Sequence, residues 1–473
     1  MRKLSTLIIL LCGFQFLCQA QSLEEVIALA QDSTITAFQS RYQYESALLQ
    51  HDSFEALRKP QLTLNLKPNY YRMVSDPSRD YVYLRNFDRF SASAQLMLTQ
   101  KVLPLGGDAY VGSQALWSEY FVRDNAGRPR DFVATPLILG YQQSLLGYNT
   151  FRWEKRAEDQ RLEAARKEHT RELYLIAEET ARRYFRLVCA QGMLDMCERN
   201  KQTADTLYAI AREKAGIAMI TLAELRSLEL QRLNAANALL SARNEEQLAR
   251  ESLLSYLRVD ESTFPLAERL PVPAHTRIIP MTDEDALQMA QANSPVLQQQ
   301  QVALTEARAQ QERTRRETGV RVGVDLNVGM QQIGDNLAGA YRNPQLYMLG
   351  AVTVSVPLMD HGAAKKQHAA AIAWEKRENQ ALNEAQRDLT EDVTTTLDNL
   401  RSHEQLLKHT QQAVDMADEV FGLTAENYAN GLCDINTYSL AQSRRDNAYN
   451  QHLTALANYW ITYYHLLTLT QHE

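Results

Sequence analysis

Two hydrophobic periodicities divide the chain. Residues 320–330 alternate strictly: Val320, Val322, Val324, Leu326, Val328 and Met330 share one face, Arg321, Asp325 and Asn327 the other. Val352, Val354, Val356 and Leu358 repeat the pattern opposite Thr353 and Ser355. Leu62, Leu64 and Leu66 do the same against Thr63, Asn65 and Lys67, and Ala92, Ala94, Leu96 and Leu98 alternate less strictly with Ser91, Ser93 and Gln95. Period two predicts strands with one apolar face. Strands of about ten residues suit tilted crossings of a hydrocarbon core, though a soluble sandwich edge alternates in the same way. Tyr70, Tyr71, Trp117, Tyr120 and Tyr347 lie near the strand ends and favour the membrane. The uncharged stretch from Phe132 to Phe151, broken by Pro136 and Gly140, also reads as strand rather than spanning helix.

The second periodicity is helical and very long. From about Asn149 to Arg212, and from His361 to about Tyr428, there is no proline and almost no glycine. At 1.5 Å per residue each helix would measure on the order of 95 Å. Leu173, Ile176, Thr180, Tyr184, Leu187 and Leu194 recur at three-four spacing, a coiled-coil-like stripe that needs lateral partners. Small residues crowd the later helices, as in Asn234-Ala235-Ala236-Asn237-Ala238, and let neighbours approach closely.

These elements occur twice. LEEVIALAQDST at 23–34 matches DEDALQMAQANS at 283–294, with an offset of 260. Each begins an amphipathic helix with early acids, expected to run about thirty residues to strand starts at Pro60 and Val320. Downstream, Lys214-Ala215-Gly216-Ile217 matches Ala429-Asn430-Gly431-Leu432 at an offset of 215. Gly216 and Gly431 break the long helices, and another helix of about forty residues follows each. The fall in offset places roughly 45 extra residues between Pro60 and Leu145. The identical tetrapeptides Trp153–Arg156 and Trp374–Arg377 are out of register with this and are coincidental. The division is then a signal peptide at 1–20, a first repeat at 21–262, a Pro-rich linker at 263–281 and a second repeat at 282–473.

The leader changes the compartment. Arg2 and Lys3 precede an apolar run from Leu4 to about Phe16, and Ala20 offers a small residue for cleavage. The run is too short to span a membrane, and Leu17 before Cys18 does not suit a lipoprotein. The chain carries 50 Lys and Arg against 57 Asp and Glu, and losing the leader brings the net charge near −9. No basic block suggests nucleic acid. Cys189, Cys197 and Cys433, the mature cysteines, form no disulfide framework and read as small apolar residues. No P-loop, G-x-S-x-G or H-E-x-x-H occurs, so no enzyme and no cofactor are expected. His361 and His368, seven apart, read as surface residues rather than metal ligands.

Helix, strand pair, long helix, glycine break and shorter helix, repeated once, resemble the TolC-type outer-membrane efflux protein family. The residues carrying the resemblance are the twin starts Glu24–Ser33 and Glu284–Ser294, the strand exit Val356-Pro357-Leu358-Met359-Asp360-His361-Gly362, and Gly216 and Gly431. It covers nearly all of the mature chain, through the ordered set rather than any one motif. It implies a mostly α fold with membrane β: a long α-helical coiled-coil barrel plus a transmembrane β-barrel shared by a homotrimer in outer-membrane lipid. The implied partners are a periplasmic adaptor and an inner-membrane pump of RND or ABC type, with drugs, metals or polypeptides as cargo.

The chain departs from that pattern twice. The extra residues hold two further strand-like runs, about 91–103 and 109–121, joined at Gly106-Gly107, where the family usually has four strands per chain. An added hairpin is expected, either widening the barrel or standing proud of the membrane. At the periplasmic entrance, Cys433, Thr437 and Leu440 replace the family's basic and acidic gate residues, whereas Tyr428 matches its tyrosine. Asp434 and Glu224 could form a threefold acidic ring there, or be ordinary solvated helix charges. Two alternatives to the duct remain: a passive porin, which would be mostly strand, and a soluble periplasmic coiled-coil scaffold.

Overall fold

The computed structural model describes residues 22–73, 87–102, 104, 106–121, 130–217, 220–260, 262, 264–266, 269–273, 282–430 and 432–471. The leader at 1–20 and Gly431 lie outside the described residues. In chain order the elements are α1 (Leu23–Ser33), α2 (Ile35–Leu57), β1 (Gln61–Met73), β2 (Phe87–Val102), β3 (Gly107–Tyr120), β4 (Arg130–Ser144), α3 (Thr150–Gly216) and α4 (Leu222–Leu257). There follow α5 (Asp283–Asn293), α6 (Pro295–Glu317), β5 (Arg321–Gly334), the short α7 (Leu337–Ala340), β6 (Gln345–Ser355), α8 (Ala363–Ala429) and α9 (Ile435–Thr470). The principal helices of the two halves have the same lengths in the same order: 11, 23, 67 and 36 residues. Among the described residues the first half carries four strands and the second two.

The first helix of each half differs from the single thirty-residue element expected. It breaks at Thr34, which is extended, and at Ser294, which is also non-helical with ψ 118°. Pro295 explains the second break, since proline lacks the N–H for the preceding turn and biases its predecessor away from helix. Thr34 achieves the same without proline, its hydroxyl donating to the Ala30 carbonyl at 2.7 Å and accepting from the Ala37 N–H. Ser22 and Thr282 close capping boxes with Glu25 and Asp285, which explains the early acids of both repeats.

Two compact units divide the chain. The first comprises residues up to Tyr44, Ala165–Pro295 and Gln386–Glu473 and is helical. Its core is built from Val26 and Ala30 of α1, Ile176, Tyr184, Phe185 and Leu187 of α3, Leu253 and Leu257 of α4, and Trp460 with Tyr463 of α9. The Phe185 and Trp460 rings stack at 6.3 Å. Gly192 lets α3 and α9 approach, since a side chain there would collide with Leu453. Part of the Pro-rich linker packs on α3: the Tyr184 hydroxyl donates to the Pro271 carbonyl at 2.7 Å, and Gln191 accepts from the Leu270 N–H at 3.0 Å. Cys189 and Cys197 sit in this unit as free thiols, and burial pushes the Cys189 thiol up to about 11. Both positions act as small apolar residues rather than as nucleophiles.

The second unit, Glu45–Ala164 and Val296–Ala385, carries one antiparallel sheet in the order β1-β2-β3-β4-β5-β6. Register follows side-chain polarity. Leu62, Leu98, Val111, Leu139, Val328 and Met348 pair in succession across all six strands, forming one apolar row. Register is also fixed by tyrosines lying over glycines. A side chain on Gly140 would strike the ring of its partner Tyr110, and one on Gly329 the ring of its partner Tyr347. Such aromatic cover suits a glycine that leaves strand surface bare. Among the described residues no helix is long and apolar enough to cross a membrane.

Candidate functional site

The candidate residues fall in two regions: the sheet and the segment around the helix breaks.

On the sheet, the apolar face is exposed although its side chains are large. Leu62, Leu64, Leu66, Leu139, Met348, Val352 and Val354 are each 49–73% exposed. The opposite face is polar. Lys101, Asp108, Gln142 and Asp325 pair in succession from β2 to β5, and Asn69, Ser91, Ser118 and Asp131 from β1 to β4. Among the described residues β1 and β6 each pair on one side only, leaving two edges. The runs expected at 91–103 and 109–121 correspond to β2 and β3, which pair from Arg89–Tyr120 to Val102–Gly107. Gly106 stands in the turn with φ +71°, a conformation glycine adopts without strain, and its N–H donates to the Val102 carbonyl at 2.9 Å. Gly107 begins β3 beneath the Tyr141 ring. The turn lies against Asn149, and the Lys101 ammonium sits 4.2 Å from the centre of the Phe151 ring, both at the start of α3.

Around the breaks, Gly216 ends α3 in open space, where no neighbour would oppose a side chain. The two candidate acids are helix caps. Glu224 accepts from the Thr221 N–H at 2.8 Å while the Thr221 hydroxyl accepts from the Glu224 N–H, starting α4. Asp434 is the N-cap of α9, accepting from the Thr437 N–H at 2.9 Å and from its hydroxyl. The hydrogen bonds from Thr437 hold the Asp434 carboxyl below its ordinary range. Burial, with the nearby Cys433 and Glu224, raises the Tyr428 hydroxyl. Glu224 thus lies near Tyr428, and Glu224 and Asp434 each serve the start of a helix.

Sequence reasoning missed the cluster beside them. Tyr428 packs on Tyr438 at 5.3 Å and Tyr438 on Phe421 at 5.4 Å. The Arg445 guanidinium lies 4.1 Å from the Phe421 ring centre and donates to Asn200 of α3 at 3.0 Å and to Asp446 at 2.8 Å. Asn200 donates back to Asp446 at 2.6 Å, closing the network between α3 and α9. Phe421 and Tyr428, like Tyr438 and Arg445, stand seven apart, and that paired spacing was the available signal. His368 faces the Thr314 hydroxyl, and no metal-ligating group of three side chains occurs among the described residues.

Residues 286–470 match the model of the outer membrane efflux protein family. Solved structures match nearly the whole chain. A membrane protein from Pseudomonas aeruginosa aligns with a TM-score of 0.70 at 15% identity, over 97% of this chain and 92% of that one. The fold is that of the TolC-type outer-membrane channels. The outer membrane protein VceC from Vibrio cholerae aligns with a TM-score of 0.68 at 12% identity, covering 95% of each chain. The Campylobacter jejuni CmeC outer membrane channel gives 0.68 at 12%, over 95% of this chain and 85% of that one. No curated protein matches the sequence. At such identities the likeness is one of fold.

Proposed function

We propose that the protein is the outer-membrane exit duct of a tripartite efflux or type I secretion system, built from two copies of one helix–strand–helix unit per chain and assembled as a homotrimer. The observation that carries the reading is the sheet. It exposes a largely apolar face, keeps a polar face opposite, and leaves two strand edges unpaired among the described residues. Lipid satisfies the first, a water-filled lumen the second and neighbouring copies the third. The helical unit supports the same assembly. Leu222, Leu230, Leu233, Leu240 and Leu248 of α4 are 51–71% exposed, an apolar stripe of the kind that packs on another subunit.

In this reading the leader at 1–20 directs export, and the duct receives cargo from a periplasmic adaptor and an inner-membrane RND or ABC pump. The pump supplies the energy, so the duct conducts passively and needs neither cofactor nor catalytic residue. A porin would not spend two 67-residue helices on a chain of this length. Membrane fractionation of cells expressing the full chain tests the proposal. The protein should sediment with the outer membrane, begin at Gln21, need detergent for extraction and cross-link as a trimer. Recovery in the soluble periplasmic fraction as a monomer would overturn it.

A further inference from the structure

We propose that the six strands of this chain form one third of an eighteen-stranded barrel, with the hairpin β2–β3 built into its wall. The inference rests on the trimeric duct above and adds the width of its membrane pore.

The hairpin is part of the sheet on both sides. β1 pairs with β2 over every position from Gln61–Thr99 to Met73–Phe87, and β3 pairs with β4 from Asp108–Gln142 to Glu119–Arg130. It also keeps the common polarity. Leu98 and Val111 supply the two middle members of the apolar row that β1 and β4 continue, while Lys101 and Asp108 stand on the polar face with Gln142 and Asp325. A hairpin standing clear of the bilayer would have no reason to match either pattern. Its turn meets the start of α3 through Asn149 and Phe151, so its strands run from the helix end of the sheet as β1 and β4 do.

Closure follows from parity. Six alternating strands place β1 and β6 in opposite directions, so β6 of one copy meets β1 of the next as another antiparallel pair. Both edges carry the same apolar face, Leu62, Leu64 and Leu66 on β1 and Met348, Val352 and Val354 on β6. A second copy of this chain is therefore the occupant of each edge.

The circumference agrees with the helices. Strands about 4.8 Å apart and tilted by about 40° give eighteen strands a perimeter on the order of 110 Å, and twelve about 75 Å. Helices α2, α3, α6 and α8 each contribute a segment to the unit that carries the sheet. Twelve such segments, spaced roughly 9–10 Å apart, need roughly 110–120 Å. Backbone radius rises from about 12 Å to about 18 Å. Allowing about 5 Å for inward side chains, half the spacing of packed sheets, the open cross-section grows about threefold. A pore of that size admits bulky cargo that a twelve-stranded wall would hold back.

Electron cryo-microscopy of the full-length protein extracted from outer membranes tests this by counting strands. Eighteen strands per trimer, with β1 of each copy on β6 of the next, is the expected result. A second measurement pairs Thr63→Cys with single cysteines along residues 345–355, in chains lacking Cys189, Cys197 and Cys433. Oxidation should yield covalent trimers for one register of partners. A trimer whose wall has twelve strands, with β2 and β3 outside it, overturns the widened barrel and leaves the duct standing. A protein that forms no trimer overturns both.

Discussion

The helical unit and the sheet solve opposite problems with one chain. The helical unit buries Tyr184, Phe185 and Trp460 almost completely against its own residues. The sheet leaves leucines, valines and a methionine exposed on one face and, among the described residues, two edges without partners. The core of the first is closed by its own residues. The other leaves its apolar face open, and in the proposed duct lipid and further copies would complete it.

The largest expected effect tests the self-sufficient side. Phe185→Ala removes a fully buried ring from its stack on Trp460 and should cost about 3–5 kcal/mol, read as a lowered unfolding midpoint in detergent. Leu139→Arg on the outward face should cost about 2–4 kcal/mol in lipid, read as reduced recovery of inserted protein from vesicles. An equal yield of inserted protein for this variant and the parent would mean the face does not meet hydrocarbon.

Smaller effects sharpen the reading of the helix breaks. Thr221→Ala should weaken the start of α4 by about 1 kcal/mol, through loss of the capping box with Glu224. Asp434→Ala should speed amide exchange over the first turn of α9, with Asp434→Asn close to the parent. If the cap is its whole role, channel cation preference stays unchanged in both; a drop would restore the acidic ring.

The smallest effect is a pH window. His465 lies 3.0 Å from Glu178, in a groove with Arg182, Glu391 and Asp392. The hydrogen bond to Glu178 raises His465, so its stabilisation is complete below the ordinary histidine value of 6.5 and is lost as pH rises through the raised value. Burial opposes ionisation of Glu178, but the His465 hydrogen bond and charge prevail and lower it. Its contribution is present above 4.5 and is lost as pH falls through the lowered value. The midpoint of the parent, relative to His465→Gln, should therefore be most favourable between about pH 4.5 and 6.5 and converge on the alkaline side.

The strands were legible because the alternation at 62–66 and 320–330 is itself the physical cause of a half-buried sheet. The drop in offset located the extra residues for the same arithmetic reason, and the structure places β2 and β3 among them. Other features were not legible. Thr34 breaks a helix through a hydroxyl contact that composition does not reveal. Asp434 and Glu224 look like free charges until their threonine partners are seen to use them as caps. Arg445 and Asn200 are 245 residues apart, and no local pattern announces a contact at that separation.

The tyrosines lying over Gly140 and Gly329 have a consequence for how the protein comes together. They align strands within one chain, so that alignment proceeds at a rate independent of how many molecules are present. In the proposed trimer the joins left over connect different molecules and proceed at a rate set by concentration. Ordering the sheet and sealing its wall are therefore separate kinetic events, first order and higher order. In that assembly a newly exported chain would carry open edges for a lifetime that lengthens as expression falls.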